Sequence, residues 1–197
     1  MKNIIVAVVY HSGAGHTARQ AIAVRRGVDQ VAGTTSLFLT SEEAQKQWDA
    51  LKQADAIVFG TPTYMGSASS QFKAFMEASL NAYLKGAWKD KIAAGFTNSA
   101  SRSGDKLDTL VQLAIFAAQH SMHWVSLGLP PGNNRSAGSE QDLNRLGFFL
   151  GAGAQSNADE GPDSAPPESD LLTAERLGKR VAEVTAQFAR GRSLLLE

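Results

Sequence analysis

The chain has no cysteine among its 197 residues. This absence excludes disulfide bonds, thiolate chemistry and zinc sites built on cysteine, and it agrees with a reducing compartment. An apolar segment typical of a strand begins within three residues of Met1, which leaves no space for a signal peptide. We therefore expect a cytoplasmic protein.

The sequence also lacks an excess of positive or negative charge, and it contains no long apolar run. Lysine and arginine together number 19, as do aspartate and glutamate, so there is no basic face for a nucleic acid. No apolar run approaches the roughly 20 residues that a membrane-spanning helix needs. We expect no nucleic-acid partner and no membrane span, and the length suits a single domain over residues 1–197.

What the sequence does contain is a regular alternation of β-branched apolar segments with helical patterns. Predicted strands cover residues 4–10, 34–39, 55–60, 91–97 and 122–127, the last as a whole strand or its first half, with strand character again at 146–150. Predicted helices cover residues 15–31, a short segment after the capping box at 40–43, a segment with apolar residues from 72 to 80, and residues 105–120 and 168–190. Predicted loops cover residues 61–67, 98–104, 128–145 and 151–167.

Strands that alternate with helices predict a parallel sheet with right-handed crossovers. Five such strands favour a flavodoxin-like, doubly wound α/β fold with strand order 2-1-3-4-5 and helices on both faces. In that order a ligand binds beyond the carboxyl ends of strands 1 and 3, where the winding reverses. The loops after strands 1, 3 and 4 therefore form the candidate site.

The loop after strand 1 joins a buried strand to a helix through small and polar residues, which are Ser12, Gly13, Ala14, Gly15, His16 and Thr17. A helix amino terminus leaves backbone N–H groups without partners and carries a partial positive charge, so it attracts anions. Glycine lets the backbone approach a ligand closely, and the two hydroxyls add donors. We interpret this loop as a phosphate cradle; the alternative is a plain helix cap with flexible glycines.

Two other phosphate motifs fit the first loop less well. A Walker A loop needs a Gly-Lys-Ser/Thr sequence that is absent here. The spacing Gly13-x-Gly15-x-x-Ala18 matches a loose dinucleotide pattern. However, Thr40 and Ser41 follow the second strand, where a dinucleotide site has an acidic residue for the ribose. The hydroxyl-rich loop therefore favours a terminal phosphate monoester.

The other two loops have the composition to hold a flat ring. The loop after strand 3 contains Pro62, Thr63, Tyr64, Met65 and Gly66, and the loop after strand 4 contains Asn98, Ser99, Ala100 and Ser101. Aromatic and thioether side chains can cover a ring, and small polar residues can bond its edge. The alternatives are an ordinary strand–helix turn and a solvated loop. Taken with the phosphate cradle, the three loops predict a site of the shape of FMN.

Four segments, in order along the chain, resemble motifs of the WrbA family of flavodoxin-like NAD(P)H:quinone oxidoreductases. Residues 10–17 read YHSGAGHT, where the family has Tyr-Tyr-Ser-x-x-Gly-His. Residues 59–66 read FGTPTYMG, where the family has FGTPTRFG. Residues 96–101 read FTNSAS, similar to F-[ST]-S-T-[GA]-[ST], and residues 119–122 read QHSM, similar to His-His-Gly-Met.

The resemblance implies FMN as cofactor, two-electron transfer from NADH or NADPH to quinones, and a homodimer or homotetramer. By position it implies that the phosphate is held by Ser12, Gly15, His16 and Thr17. It implies that the isoalloxazine lies between residues 62–66 on one side and Asn98, Ser99 and Ser101 on the other. His120 corresponds to the family histidine that faces the substrate over the flavin, and Tyr83 to a tryptophan at the same mouth.

His120 is the candidate catalytic residue, because an imidazole with a pKa near neutrality can protonate a quinone oxygen. The alternative is a histidine at a helix carboxyl end, where its charge suits the helix dipole. His120 and His123 also have the spacing of two metal ligands, but His123 lies in a predicted strand without an adjacent carboxylate. We therefore expect no metal.

The chain departs from the family pattern around the ring. Tyr64 replaces the family's arginine, Met65 its phenylalanine and Ala14 an aromatic residue, and the family's insertion between strands 2 and 3 is missing. These departures remove a positive charge and thin the aromatic surface. They favour a second hypothesis, in which the chain is a flavodoxin-like oligomeric protein with weak or no FMN binding and a binding or regulatory role.

Overall fold

The computed structural model describes residues 3–194, and their side chains through residue 192. The strands are β1 (Ile4–Tyr10), β2 (Thr34–Thr40), β3 (Ala56–Tyr64), β4 (Ser67–Ala68), β5 (Ile92–Ser99), β6 (His123–Trp124) and β7 (Ala152–Gln155). The helices are α1 (His16–Asp29), α2 (Ser41–Ala44), α3 (Trp48–Gln53), α4 (Ser70–Ala78), α5 (Leu80–Leu84), α6 (Lys106–Gln119) and α7 (Glu168–Leu194).

The main sheet is parallel and has the order β2-β1-β3-β5-β6. β6 pairs with the first residues of β5, and β7 pairs with its last four. Residues 125–151 leave the sheet between these two short strands. The predicted flavodoxin-like fold and strand order are confirmed, and the fifth position of the sheet is shared by two segments.

The two faces of the sheet bury separate apolar clusters, as alternating side chains of a doubly covered strand require. Val6 and Val8 of β1 pack with residues of α1 and α7. Ala7 and Val9 belong to the opposite cluster, which is rich in aromatic rings from α4, α6 and the segment before β5. β1 is therefore buried on both sides, and its end is held rigidly under the candidate site.

Helices α1 and α7 cross at two glycines. A Cβ on Gly27 would lie 1.9 Å from the backbone oxygen of Glu175, and a Cβ on Gly178 would lie 1.9 Å from that of Val24. Neither distance is possible for a real side chain, so the crossing requires glycine on both helices. This close packing fixes α1, whose amino end forms the first loop of the site.

Two details of the predicted loops were wrong. Residues 61–67 are not a loop, because β3 continues to Tyr64 and pairs with β4 in an antiparallel hairpin. Met65 and Gly66 form its two-residue turn with φ values of 49° and 82°. Two positive φ values are those of a type I′ turn, which suits the twist of a hairpin.

The predicted strand at 146–150 was also wrong, since the strand is β7, within the predicted loop 151–167. A Cβ on Gly151 would lie 2.2 Å from the backbone oxygen of Gly95, and the ring of Phe148 covers Gly153. The position beside β5 therefore accepts small residues, whereas the more apolar segment before it packs over them. No helix within residues 3–194 is long and apolar enough to cross a bilayer.

Candidate functional site

The first loop places a helix amino terminus at the carboxyl edge of the sheet. The Ser12 hydroxyl oxygen accepts from the backbone N–H of Ala18 at 3.1 Å, and the first helical hydrogen bond runs from Arg19 N to Gly15 O at 3.1 Å. In the described chain, no protein acceptor bonds the backbone N–H groups of residues 14–17. These amides and the helix dipole make the end of α1 suitable for a phosphate.

Two glycines of this loop lie closely against neighbouring side chains. A Cβ on Gly13 would lie 2.5 Å from the Tyr64 hydroxyl, and a Cβ on Gly15 would lie 2.9 Å from Cγ of Pro162. Gly15 also has a φ of 89°, in the left-handed region that glycine adopts without strain. The backbone is therefore exposed at the bottom of a cradle whose walls are a tyrosine ring and a proline ring.

The three loops meet in one crevice of about 190 Å³. The residues that line it are Ala14, His16, Thr17, Pro62, Tyr64, Asn98, Ala100, Ser156, Asn157 and Ala158. The first three come from the loop after β1, Pro62 and Tyr64 from the end of β3, and Asn98 and Ala100 from the end of β5. The sequence-based convergence of distant segments is thus present in the structure.

The fourth wall, residues 156–162, was missed by the sequence analysis. The side-chain amide of Asn98 donates to the Ser156 hydroxyl at 2.8 Å, and the Nε2 atom of His16 lies 2.8 Å from the backbone oxygen of Glu160. The Arg19 guanidinium donates to the backbone oxygen of Pro162. The composition of residues 156–162 is typical of a solvated loop, and the hydrophobic periodicity gave no indication that this segment closes the site.

Several residues proposed for the site use their side chains elsewhere. The Thr63 hydroxyl bonds Thr97 and Thr109, each at 2.8 Å, beneath the hairpin. Met65 stands at the tip of the turn beside Gly66, with its side chain fully in solvent. The Ser99 hydroxyl donates to the backbone oxygen of Ser101 at 3.3 Å. The Thr63 and Ser99 hydroxyls are therefore engaged within the protein, Met65 is not among the residues that line the crevice, and the half-exposed Tyr64 ring is.

His120 and Tyr83 lie together, but in a different cavity, of about 410 Å³, between α4, α5 and the end of α6. Their rings are in edge contact, with centroids 6.0 Å apart. His123 pairs with Ile92 at the start of β5, whereas the crevice lies near Asn98 at its end. Six strand residues correspond to about 20 Å. Within one chain, His120 is therefore at the opposite end of the sheet from the phosphate cradle.

The surroundings of His120 keep its imidazole neutral. Its Nε2 atom lies 2.9 Å from the Ser79 hydroxyl, which donates to the backbone oxygen of Met76 at 2.6 Å. We therefore assign the proton to Nε2, which leaves Nδ1 as a buried acceptor without a protein partner among the described residues. Burial lowers the pKa of His120 to about 4, so it carries no proton to donate from an imidazolium at neutral pH.

His120 and His123 do not form a metal pair in this geometry. The His123 side chain is half exposed and faces Asp90, with Nε2 and Oδ1 3.7 Å apart, whereas His120 is buried against Trp88 with ring centroids 4.2 Å apart. Within residues 3–192, no group of three or more histidine, cysteine, aspartate or glutamate side chains is arranged to hold a metal ion.

The cradle and crevice fit FMN. Free amides at the end of α1 suit a phosphate, the two glycine positions let it approach the backbone, and Tyr64 offers a ring face beside the small residues of the loop after β5. A parallel sheet of this order with such a crevice at its topological switch point defines an FMN-binding protein of the flavodoxin fold.

Comparison with known proteins gives the family. The family model for NADPH-dependent FMN reductase matches residues 31–129. The chain is 43% identical over 181 residues to "Flavodoxin FldP" of Pseudomonas aeruginosa, covering 92% of this chain and 96% of that protein. It is 30% identical to "NAD(P)H dehydrogenase (quinone)" of Geotalea uraniireducens, covering 94% and 99% of the two chains.

A solved structure agrees with these relatives. The flavodoxin, WrbA-like protein from Agrobacterium tumefaciens superposes with a TM-score of 0.73 and is 39% identical, covering 93% of this chain and 98% of that one. The chain belongs to the NADPH-dependent FMN reductase family of oxidoreductases, among its WrbA-like, flavodoxin-fold members.

Proposed function

We propose that this protein is an FMN-dependent oxidoreductase that transfers two electrons from NADH or NADPH to quinones. The crevice at the end of α1 is the observation that carries the proposal, because it combines a phosphate cradle with a site for a flat ring. The family and the quinone dehydrogenases among the relatives support the electron donor and the class of acceptor.

The residues at the crevice divide into two groups by the part of FMN that they would hold. The phosphate end comprises Ser12, the backbone from Gly13 to His16, and Thr17. The ring end comprises Pro62, Tyr64, Asn98 and Ala100, with the backbone of Thr63, Met65, Gly66, Ser99 and Ser101 nearby. When bound, FMN supplies the hydride chemistry, and the protein orients the ring and bonds the charge that reduction places on it.

Tyr64 occupies the position beside the ring at which other members of the family have an arginine. Its hydroxyl lies against Gly13 at the phosphate loop, and 45% of its surface is exposed. The side chain can therefore cover either the ring or the mouth of the crevice by rotation about its side-chain bonds. Because tyrosine has no cationic form, we expect weaker attraction for an anionic ring than an arginine would provide.

We further propose that a second copy of this chain completes the substrate space. Tyr83 and His120 line a cavity at the opposite end of the sheet from the crevice of their own chain, so they would face a flavin across a subunit interface. Around them α5 exposes Leu80 and Leu84, with 58% and 69% of their surfaces in solvent. Exposed apolar side chains that lie together favour contact with another protein surface. We therefore propose a homodimer or homotetramer.

The function is tested by cofactor binding followed by turnover. The apo-protein is titrated with FMN, and flavin fluorescence and absorbance give the dissociation constant. The loaded protein is then mixed with NADH or NADPH and benzoquinone, and nicotinamide oxidation is followed at 340 nm. We expect micromolar or tighter binding and turnover that depends on the added FMN.

Two other outcomes would each replace the proposal. No flavin uptake at micromolar FMN would contradict the enzyme and favour a binding or regulatory role. Flavin uptake without quinone turnover would favour electron carriage, a role suggested by the 43% identical relative that is called a flavodoxin. Free FMN with nicotinamide and quinone, in the absence of protein, is the control.

A further inference from the structure

Lys106 is a buried cation that neither the fold nor the proposed reaction has so far explained. It is the first residue of α6 and has no exposed surface. A positive charge is unfavourable at a helix amino terminus, and burying an ammonium group is costly without strong partners. Lys106 Nζ donates to the backbone oxygens of Ser101 and Arg102 at 2.5 and 3.0 Å. Both hydrogen-bond partners of Lys106 therefore belong to the loop after β5, at the ring end of the proposed site.

The preceding carbonyl of the same loop, that of Ala100, also accepts a hydrogen bond from a side chain. The side-chain amide of Gln155 donates to the backbone oxygen of Ala100 at 2.9 Å. Three consecutive carbonyls, at positions 100–102, are thus bonded to donors of the protein. Because a trans peptide points its C=O and the following N–H in opposite directions, the amides of residues 101–103 point away from these donors. In the described chain, no protein acceptor bonds these three amides.

A buried ion pair fixes the position of Gln155. Arg145 donates from Nε and a terminal nitrogen to the two carboxylate oxygens of Asp170, each at 2.8 Å, and Asp170 accepts from the backbone N–H of Gln155 at 2.9 Å. The Arg145 and Asp170 side chains are 4% and 2% exposed. Bidentate pairs of this kind are geometrically restrictive, so the donors behind the loop are held rigidly.

Lys106 is protonated at neutral pH, because its pKa stays above 7 despite its burial. Burial lowers the pKa of Lys106 to about 8, the negative charge of Asp170 opposes that change, and the positive charge of Arg145 adds to it. At pH 7 a positive charge is therefore hydrogen-bonded to the loop whose Ala100 lines the crevice.

We propose that Lys106 is a positioning residue for the isoalloxazine end of the FMN site. Its ammonium group holds the carbonyls of residues 101 and 102 away from the crevice, and with Gln155 it directs the amides of residues 101–103 toward the edge of the ring. The same positive charge favours the anionic form of the reduced ring. This inference rests on the proposed function, because it assumes that FMN occupies the crevice.

The test compares Lys106→Met, which removes the charge and its donors, with Lys106→Gln, which keeps amide donors. Each apo-protein is titrated with FMN and with riboflavin, and the midpoint potential of bound FMN is measured. We expect Lys106→Met to raise both dissociation constants by about tenfold, which corresponds to about one net hydrogen bond between the loop amides and the ring, and to lower the midpoint potential. Lys106→Gln should restore part of the affinity but not the potential.

Two further variants separate the ends of the site. Thr17→Val removes a hydroxyl at the phosphate end, so it should weaken FMN binding and leave riboflavin binding unchanged. Lys89→Met removes an exposed lysine just before the start of β5, at the opposite end of that strand from Asn98, and should change neither the ligand affinities nor the potential. An equal effect of Lys106→Met on FMN and riboflavin would therefore locate its action at the ring.

The outcomes distinguish this inference from the proposed function. If the unmodified protein does not bind FMN, the proposed function fails and this inference fails with it. If it binds FMN but Lys106→Met retains both affinities and the potential, only the role of Lys106 is overturned. The same holds if Lys106→Met lowers the thermal unfolding midpoint alone, since that is what a merely structural lysine would do.

The unmodified protein provides a second test should both variants fail to fold. Riboflavin affinity should fall several-fold between pH 7 and pH 9.5, because Lys106 loses its charge near its pKa of about 8. The charged groups that act on it are Asp170 and Arg145. An affinity that is constant over this pH range would overturn the proposal.

Discussion

At the scale of single residues, the chemistry of this protein depends on what surrounds each side chain. His120 was a candidate acid because free imidazole titrates near neutrality, but in the structure it lies against Trp88 and Phe116. Burial among these rings disfavours the charged form and lowers its pKa to about 4. In the isolated chain, His120 is therefore suited to hold Ser79 or to contact a substrate as a neutral ring.

The low pKa of His120 predicts a pH-dependent stability. Between the ordinary pKa of 6.5 and the folded value of about 4, the unfolded chain binds a proton that the folded chain does not, so the free energy of unfolding falls as the pH falls. At pH 5 the expected loss is about 2 kcal/mol. In His120→Gln this loss should be absent. Urea unfolding at pH 7 and pH 5 measures it in both proteins.

The decisive quantity is the loss of unfolding free energy between pH 7 and pH 5 in each protein, and not the stability of either protein at one pH. His120→Gln also loses packing against Trp88, and this cost is the same at both pH values. Equal drops in the two proteins would show that His120 is protonated in the folded state, contrary to its buried position.

At the scale of elements, the site depends on how closely α1 and α7 pack. α1 carries the phosphate loop at its amino end, and Gly27 near its carboxyl end meets the backbone of α7 at Glu175. A backbone oxygen cannot rotate away from a new methyl group as a side chain can. The crossing therefore holds α1 at one distance from α7.

We expect Gly27→Ala to destabilise the protein by about 2 kcal/mol or more. Alanine gains about 1 kcal/mol over glycine in a helix interior, but a Cβ placed 1.9 Å from Glu175 O must push the two helices apart, and overpacking costs more than that gain. Chemical denaturation of the variant measures the difference.

The matched control is Gly191→Ala, a glycine of α7 whose Cβ would meet nothing within 4 Å. It should be neutral or slightly stabilising, because only helix propensity changes there. If both variants were equally stable, the crossing of α1 and α7 would have to be looser than the structure indicates.

At the scale of the whole molecule, the apolar outer face of α6 bears on the proposed oligomer. Leu107, Val111 and Ile115 follow one another at four-residue intervals, so they form a stripe along one side of the helix, and 55%, 38% and 55% of their surfaces are exposed. The carboxyl end of the same helix leads to His120. A second copy on this face would lie next to the cavity of His120 and Tyr83.

Ile115→Glu should therefore disrupt the oligomer and the reaction without removing the cofactor. A carboxylate at the centre of an apolar interface is costly to bury, so we expect a monomer by size-exclusion chromatography with light scattering. FMN affinity should stay within about twofold, and quinone turnover should fall at least tenfold. Ile22→Glu, at an exposed position of α1, is the control.

Monomeric Ile115→Glu with full quinone turnover would show that Tyr83 and His120 are not needed across an interface. An unmodified protein that is already monomeric would contradict the proposed oligomer directly. In either case the proposed FMN crevice stands, because one chain supplies all three of the loops predicted to form it.

The sequence alone determined the fold and three of the four walls of the crevice. The alternation of β-branched segments with helical periods is local, and it predicts a parallel sheet whose loops meet at one edge. Glycine and hydroxyl residues at the end of β1 and the Pro62–Tyr64 segment also carry their meaning locally. For this reason the strand order and the convergence of the loops could be predicted.

Only the tertiary structure decided the rest, because it depends on contacts between distant segments. β7 consists mostly of small residues that pair with the end of β5 under the ring of Phe148, so its sequence has no strand pattern. Residues 156–162 wall the crevice through bonds from Asn98 and His16. Lys106 is typical of an exposed helix residue by its type, yet it is buried under the loop that it bonds, since burial is set by the chain that packs over a residue and not by the residue itself.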